Sequence, residues 1–161
     1  MLGLRRRLDD LPLFAGLSAG EIDRLFALCD SRRLQAGEKL MTEGDLADAL
    51  WMVLDGDVEI SKEGKVLAEV GKGAALGELS LFRATSHRSA TVTAICPVTV
   101  LRIPVGPFRK LLQAHELAAL KVVNNIAHQL AERLAAINDR LVSPGRKGLA
   151  VARSIARAHG G

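Results

Sequence analysis

The chain has 161 residues, of which 48% are hydrophobic and 25% are charged, and its formal net charge is +4. These values are typical of one soluble domain or slightly more, with enough apolar residues to form a core. No apolar run approaches the roughly 18 residues that a membrane-spanning helix needs, and no secretory signal pattern follows the basic N-terminus. Aromatic residues make up only 3%, which argues against a surface that binds nucleic acid by base stacking.

The positive charge is concentrated near the C-terminal end. Residues 143–161 contain Arg146, Lys147, Arg153 and Arg157 and no acidic residue, and these four account for the whole excess of 22 basic over 18 acidic residues. Such a basic tail is compatible with binding to nucleic acid or anionic lipid, but also with simple solvation.

Cysteines and histidines give no sign of a metal site. Cys29 and Cys96 are far apart in apolar surroundings, which predicts free thiols and a reducing, cytoplasmic location. The four histidines have no ligand spacing relative to each other or to a cysteine. We therefore expect neither a metal nor a cofactor.

Residues 1–30 are predicted to form an N-terminal helical segment. Ser18 can cap a helix, and Glu21 lies at the position that completes a capping box. The apolar residues that follow share one face of that helix: Ile22, Leu25, Phe26 and Cys29.

Between residues 31 and 106 the pattern changes to short apolar runs separated by glycines. Runs such as 50–54 and 58–60, at spacings of about ten residues, predict antiparallel strands in a sandwich, barrel or jelly roll. Asp55-Gly56 predicts a hairpin turn between two of these strands.

A β-barrel of this kind can also hold a catalytic metal, and this alternative requires a particular set of ligand residues. It requires several histidines with a carboxylate, whereas the β region contains a single histidine, His87. No serine, cysteine or lysine stands at a recognisable spacing from a base. The sequence therefore predicts no enzymatic activity.

The stretch 77–91 contains the strongest candidate for a binding site. Gly77 would allow the backbone to approach a ligand closely, and a one-turn helix from Leu79 to Phe82 would present free amides that attract an anion. The planar guanidinium of Arg88 suits phosphate oxygens, and Glu78 suits ligand hydroxyls as an acceptor. The alternative is a structural ion pair between Glu78 and Arg88.

Gly77-Glu78, followed by Arg88-Ser89-Ala90-Thr91, resembles the phosphate-binding cassette of the cyclic nucleotide-binding domain family. The resemblance implies that Arg88 holds the cyclic phosphate, that Glu78 holds the ribose 2′-hydroxyl and that Ser89 also contacts the phosphate. His87 stands where many eukaryotic members carry proline. The glycine turns at 43–48 and 54–57 are similar to those of the family as well.

A long helix is predicted over residues 107–142, with Pro107 in its first turn and Ser143-Pro144-Gly145 at its end. Leu112, Leu117, Val122 and Ile126 broaden its apolar face and are expected to pack on the β region. Over residues 120–141 a seam with alternating steps of three and four predicts a parallel coiled coil between two copies of the chain. The seam residues are Leu120, Val123, Ala127, Leu130, Leu134, Ile137 and Leu141.

The resemblance also implies that this helix covers the base of the nucleotide. Counted from Phe108 at the family's spacing, the residues that face the base are Arg133 and Leu134. The best-known bacterial regulators have small hydroxyl residues there, which bind adenine. Family frequency favours cAMP, and cGMP is the alternative because a guanidinium can donate to guanine O6 or N7.

Together these patterns predict a mainly β fold with flanking helices (α+β). It is an antiparallel β-jelly-roll barrel with N-terminal helices (1–30), a nucleotide-binding core (31–106), a long C-terminal helix (107–142) and a basic tail (143–161). The candidate ligand-binding residues are Gly77, Glu78, Leu79, Ser80, Arg88, Ser89, Ala90, Thr91, Arg133 and Leu134.

The predicted function is that of a non-catalytic cAMP or cGMP sensor, which signals as a homodimer to a protein partner that the sequence does not identify. DNA binding is not expected, because about twenty residues after the long helix are too few for a helix-turn-helix domain. The alternative is a cyclic-nucleotide-dependent transcriptional regulator of the catabolite-activator type with a truncated or vestigial DNA-binding region.

Overall fold

The computed structural model describes the backbone of residues 10–82 and 87–158, and their side chains up to residue 139 and at residue 141. The chain forms two compact units, Met1–Ile126 and Ala127–Gly161. The strands that the described ranges contain, and the candidate cassette, belong to the first unit.

A short 3-10 turn, Pro12–Phe14, precedes helix α1, Ala19–Phe26. The predicted capping box is present: Ser18 Oγ accepts a hydrogen bond from the Glu21 amide at 3.3 Å, and Glu21 Oε2 accepts one from the Ser18 amide at 2.7 Å. The same carboxylate pairs with Lys121 Nζ at 2.9 Å. Glu21 therefore joins the start of α1 to a helix that lies 100 residues later in the chain.

In the described part of the chain, eight strands follow and form two antiparallel sheets of four. The first sheet has the order β1-β8-β3-β6, and the second has the order β2-β7-β4-β5. The strands are β1 Asp30–Leu34, β2 Lys39–Met41, β3 Ala49–Asp55, β4 Val58–Lys62, β5 Lys65–Val70, β6 Ala75–Leu76, β7 Thr91–Ala94 and β8 Val98–Pro104. This architecture confirms the jelly-roll prediction.

Period-two alternation in β3 explains how the sheets make a core. Ala49, Trp51 and Val53 belong to an apolar cluster with residues of both sheets, among them Leu76, Val92 and Val100. The intervening residues Leu50, Met52 and Leu54 are buried as well, although they point to the opposite face. Because both faces are covered, β3 is a central strand around which the first unit packs.

The predicted hairpin at Asp55-Gly56 is wrong. Gly56 does adopt a positive φ of 81°, but β3 and β4 lie in different sheets, so the turn carries the chain from one sheet to the other. The hairpin that follows joins β4 and β5 through Glu63 and Gly64, which have φ values of 50° and 75°. A two-residue turn with both φ values positive matches the twist of paired strands.

The single helix predicted over residues 107–142 is also wrong. After the one-turn helix α2 at Leu79–Phe82, the described residues form two helices here, α3 at Val105–Gln113 and α4 at Leu117–Ala158, and His115 between them has a φ of 57°. Helix α4 continues through Ser143-Pro144-Gly145. Proline and glycine cost about 3 and 1 kcal/mol in a helix interior, but the flanking sequence is rich in alanine, leucine and arginine, which favour helix.

The start of α4 packs as predicted at Val122 and Ile126, which are fully buried, but Leu117 is 58% exposed. Leu117 is the first residue of the helix, after the break, so it does not share the face that the prediction of one continuous helix gave it. In the second unit, Leu134, Ile137 and Leu141 of the seam are all more than half exposed. None of the helices in the described part of the chain is long and apolar enough to span a membrane.

Candidate functional site

The cassette begins where strand β6 ends. Gly77 has a φ of 72°, which turns the chain from β6 into the one-turn helix α2, Leu79–Phe82. The Ser80 hydroxyl donates to the Gly77 carbonyl at 2.6 Å, and Ser80 is only 2% exposed. Ser80, predicted to contact ligand, therefore uses its hydroxyl to fix the turn at Gly77.

Arg88 is a buried charged residue at the centre of this region, with a side chain only 4% exposed. Both polar groups of its backbone are hydrogen-bonded to the loop before β3: the Arg88 amide donates to the Asp45 carbonyl at 2.7 Å, and the Arg88 carbonyl accepts from the Gly44 amide at 2.9 Å. Its Nη1 donates to the Ala49 carbonyl at 2.8 Å. Burial lowers the pKa of the guanidinium from its ordinary value, and the charge of Asp48 opposes this shift.

Asp48 is the carboxylate partner that the structure gives to Arg88. Arg88 Nη2 lies 3.3 Å from Asp48 Oδ1, while Arg102 Nη2 lies 2.6 Å from Asp48 Oδ2. Partial burial opposes ionisation of Asp48, but the hydrogen bond and charge of Arg102, with the charge of Arg88, outweigh it and lower the pKa of the carboxyl. The sequence-based alternative considered Glu78 for this pairing and missed Asp48.

A second residue that sequence reasoning missed is Arg109 on α3. Its Nη2 donates to the Ser80 carbonyl at 2.6 Å, and its Nε donates to the Leu81 carbonyl at 3.4 Å. These carbonyls belong to the one-turn helix α2, and the last carbonyls of a helix commonly take donors from outside it. Arg109 therefore attaches α3 to the cassette.

The other cassette residues differ in their exposure. Glu78 and Ala90 are half-buried, Leu79 is 38% exposed and Ser89 is exposed. The Thr91 hydroxyl accepts a hydrogen bond from the Glu43 amide at 3.0 Å, so it holds the loop before β3 in place. Residues 83–86, which complete the stretch 77–91, lie outside the described residues.

Arg133 and Leu134, which are predicted to face the base, belong to the second unit. Arg133 is half-buried, and Leu134 is 59% exposed. Within the first unit, four predicted site residues lie in one region: Gly77, Glu78, Ser80 and Arg88. Asp48 also belongs to this region, although the sequence did not predict it as a site residue.

Trp51, on β3, carries a buried polar atom close to the cassette. It pairs with Leu76 of β6, the residue before Gly77, and is 6% exposed. Its Nε1–H has no hydrogen-bond acceptor among the described residues. A buried donor without an acceptor costs about 1–3 kcal/mol.

The chemistry available here is anion binding. The hydrogen bonds described for Arg88 use its two terminal nitrogens once each, and a guanidinium has further N–H donors. A buried guanidinium favours a charged oxygen acceptor more strongly than an exposed one does. Within the described ranges, no group of three or more histidine, cysteine, aspartate or glutamate residues is arranged to hold a metal ion.

Comparison with known proteins agrees with this arrangement. The family model described as "Cyclic nucleotide-binding domain" matches residues 31–115. A protein from Geobacter metallireducens GS-15 described as cyclic nucleotide-binding has a solved structure similar to 81% of this chain and 97% of its own, with a TM-score of 0.72 and 25% identity. The catabolite activator protein of Thermus thermophilus is similar over 81% of this chain and 61% of its own, with a TM-score of 0.66 and 30% identity.

Among curated proteins, glutaminase 1 of Bradyrhizobium diazoefficiens is 37% identical over 135 residues. That match covers 83% of this chain but 22% of the enzyme, so the chain spans about a fifth of the length of this relative. The family match extends over more than half of the chain and includes Gly77, Glu78 and Arg88. The chain therefore belongs to the cyclic nucleotide-binding domain family.

Proposed function

We propose that this chain is a non-catalytic sensor module that binds a purine 3′,5′-cyclic nucleotide in the cassette at 77–91. The observation that supports this most directly is the buried guanidinium of Arg88, which lies against the backbone of Gly77. In this function Arg88 neutralises the cyclic phosphate. Charge-assisted hydrogen bonds of this kind contribute about 1.5–3 kcal/mol each.

The two groups that hold Arg88 in place favour a preorganised site. The Ala49 carbonyl and Asp48 fix the plane of the guanidinium before a ligand arrives. An arginine that is already ordered loses less side-chain entropy when the phosphate binds. Since Asp48 is 63% exposed and is also bound to Arg102, it neutralises Arg88 only in part.

Glu78 acts on the sugar in this function. It is half-buried one residue after Gly77, so it can accept a hydrogen bond from a ribose hydroxyl beside the phosphate. A site that hydrogen-bonds a hydroxyl discriminates strongly against the analogue that lacks it.

For the base, cAMP is the first candidate and cGMP the second. That Arg133 and Leu134 contact the base stays a prediction from the family resemblance. The exposed seam residues Leu134, Ile137 and Leu141 are compatible with a parallel homodimer through residues 120–141, which would pass the signal to a protein partner.

The test is isothermal calorimetry of the chain with cAMP, cGMP, a cyclic dinucleotide and 5′-AMP as a non-cyclic control. We expect a purine cyclic mononucleotide to bind, and Arg88→Leu to weaken that binding at least tenfold, or about 1.4 kcal/mol. Arg32→Leu is the matched control, because it removes one positive charge from an exposed position on β1. A wild-type chain that binds none of these ligands, or an Arg88→Leu variant with wild-type affinity, would refute the proposal.

A further inference from the structure

Four charged side chains form a continuous series that runs from the buried cassette to the edge of the first sheet. Arg88 contacts Asp48 at 3.3 Å, Asp48 contacts Arg102 at 2.6 Å, and Arg102 Nη1 lies 3.8 Å from Asp30 Oδ2. Arg88 is 4% exposed, whereas the other three side chains reach solvent: 63% of Asp48, 30% of Arg102 and 76% of Asp30 are exposed. The buried cation of the cassette is thus linked electrostatically to solvent-exposed charges.

The position of Arg102 follows from the register of the first sheet. Arg102 pairs with Asp30 on β1 and with Trp51 on β3. Along β8 it follows Val98 and Val100 at intervals of two, and both valines lie in the apolar cluster between the sheets. Arg102 therefore extends from the same face as these buried valines, at the end of the strand where Asp48 precedes β3.

The two arginines bind different oxygens of the same carboxylate. Arg102 takes Oδ2 with the shorter contact, and this leaves Oδ1 directed at Arg88. One negative charge is therefore shared between two guanidinium groups. If Arg102 were absent, the whole charge of Asp48 would be available to Arg88 and would compete with a phosphate for it.

We propose that Arg102 is a positioning residue for anion binding: by holding Asp48, it keeps Arg88 available to the phosphate of the ligand. This role rests on the proposed function, since it concerns the affinity of the same site. It differs from a structural role, in which Arg102 would merely join β1, β8 and β3, and from a general effect of its positive charge.

A double-mutant cycle between positions 102 and 48 separates these roles. Calorimetry with the tightest-binding cyclic mononucleotide is done on the wild type, Arg102→Gln, Asp48→Asn and the double variant, and thermal unfolding is measured for each. We expect Arg102→Gln to weaken binding about two- to fivefold, the range of a partly exposed ion pair. In the Asp48→Asn background the same substitution is expected to leave the affinity unchanged, because the carboxylate that Arg102 restrains is gone.

Two further variants complete the series. Arg102→Lys keeps the charge and one contact to Asp48, and we expect it to recover part of the affinity. Arg32→Gln removes an exposed positive charge from the neighbouring strand β1 and is expected to bind like the wild type.

Several outcomes of these measurements would contradict the proposed role of Arg102. An equal loss on Arg102→Gln in both backgrounds would overturn the role of Asp48, and so would wild-type affinity of Arg102→Gln. A loss of affinity in proportion to a loss of thermal stability would reduce Arg102 to a structural residue. If the wild type binds and Arg88→Leu does not, the proposed function stands whatever Arg102 does; a wild type that binds no cyclic nucleotide would overturn both.

Discussion

The backbone of Gly77 lies directly against the guanidinium of Arg88. A Cβ atom at position 77 would come within 3.0 Å of Arg88 Nη1, closer than Cβ atoms approach other heavy atoms in proteins. It would also lie 3.3 Å from the Ala49 carbonyl, the acceptor of the Arg88 hydrogen bond. The bare backbone at Gly77 therefore makes room for Arg88 in its buried position, in addition to forming the turn into α2.

We predict that Gly77→Ala weakens cyclic nucleotide binding at least tenfold. The methyl group would displace Arg88 from the Ala49 carbonyl, and a φ of 72° is strained for alanine by about 1–3 kcal/mol. Calorimetry measures the affinity, and chemical denaturation measures the stability.

Gly37→Ala is the matched control for this prediction. Gly37 has a similar φ of 86°, but none of the described atoms would lie within 4 Å of a Cβ atom there. It should therefore show the backbone cost alone, with wild-type affinity. If both alanine variants lose affinity equally, the contact between Gly77 and Arg88 has no specific role in binding.

The variant Glu78→Gln, measured with both cAMP and 2′-deoxy-cAMP, tests whether Glu78 contacts the ribose 2′-hydroxyl. We expect the variant to bind cAMP more weakly, because a carboxylate is a stronger acceptor for a hydroxyl than an amide oxygen is. With 2′-deoxy-cAMP the variant and the wild type should bind equally, since the hydroxyl is absent. A loss of the same size with both ligands would show that Glu78 acts elsewhere than on the 2′-hydroxyl.

The link between Glu21 and Lys121 predicts a pH dependence of stability. The hydrogen bond from Lys121, together with the Ser18 amide, lowers the pKa of Glu21 from 4.5 to about 2. A carboxyl whose pKa is depressed in the folded state stabilises the protein above its unfolded pKa, and that contribution is lost as the pH falls from about 4.5 to about 2.

Urea denaturation between pH 5 and pH 2 should therefore show a weaker acid dependence for Glu21→Gln than for the wild type. Lys121→Met should also flatten the curve, because it removes the main cause of the shift. An unchanged acid dependence in both variants would mean that other carboxyl groups dominate in this range.

The seam of α4 predicts a dimer that a single charge disrupts. Ile137 is 53% exposed in the second unit, and Ile137→Glu should convert the dimer to a monomer in size-exclusion chromatography with light scattering. Ala136→Glu places the same charge at an exposed neighbour outside the seam and should leave the dimer intact. A monomeric wild-type chain would contradict the coiled-coil prediction.

Local patterns were sufficient for the strands, the capping box and the family, because glycine spacing, alternation and the Gly77-Glu78 motif are all contained within short stretches. Asp48 and Arg102 escaped prediction for a physical reason. Their partners are 40 and 54 residues away in sequence, and only the register of the sheet brings the charges together. No periodic pattern encodes such a contact.

The break between α3 and α4 was missed for a different reason. Residues 114–116 contain neither glycine nor proline, and His115 adopts its φ of 57° without the residue type that usually marks a left-handed turn. A helix prediction based on apolar spacing continues through such a sequence. The prediction of one continuous helix therefore placed Leu117 on the buried face, whereas the structure has it 58% exposed.

Trp51 can serve as an intrinsic fluorescence probe of the cassette. It is the single tryptophan of the chain, there is no tyrosine, and it lies opposite Leu76, next to the turn at Gly77. Its fluorescence is therefore free of tyrosine emission and comes from one place only. Because indole emission responds to the polarity and hydrogen bonding around the ring, we expect binding of the proposed ligand at Arg88 to change this emission, which stopped-flow fluorescence can follow in the unlabelled protein.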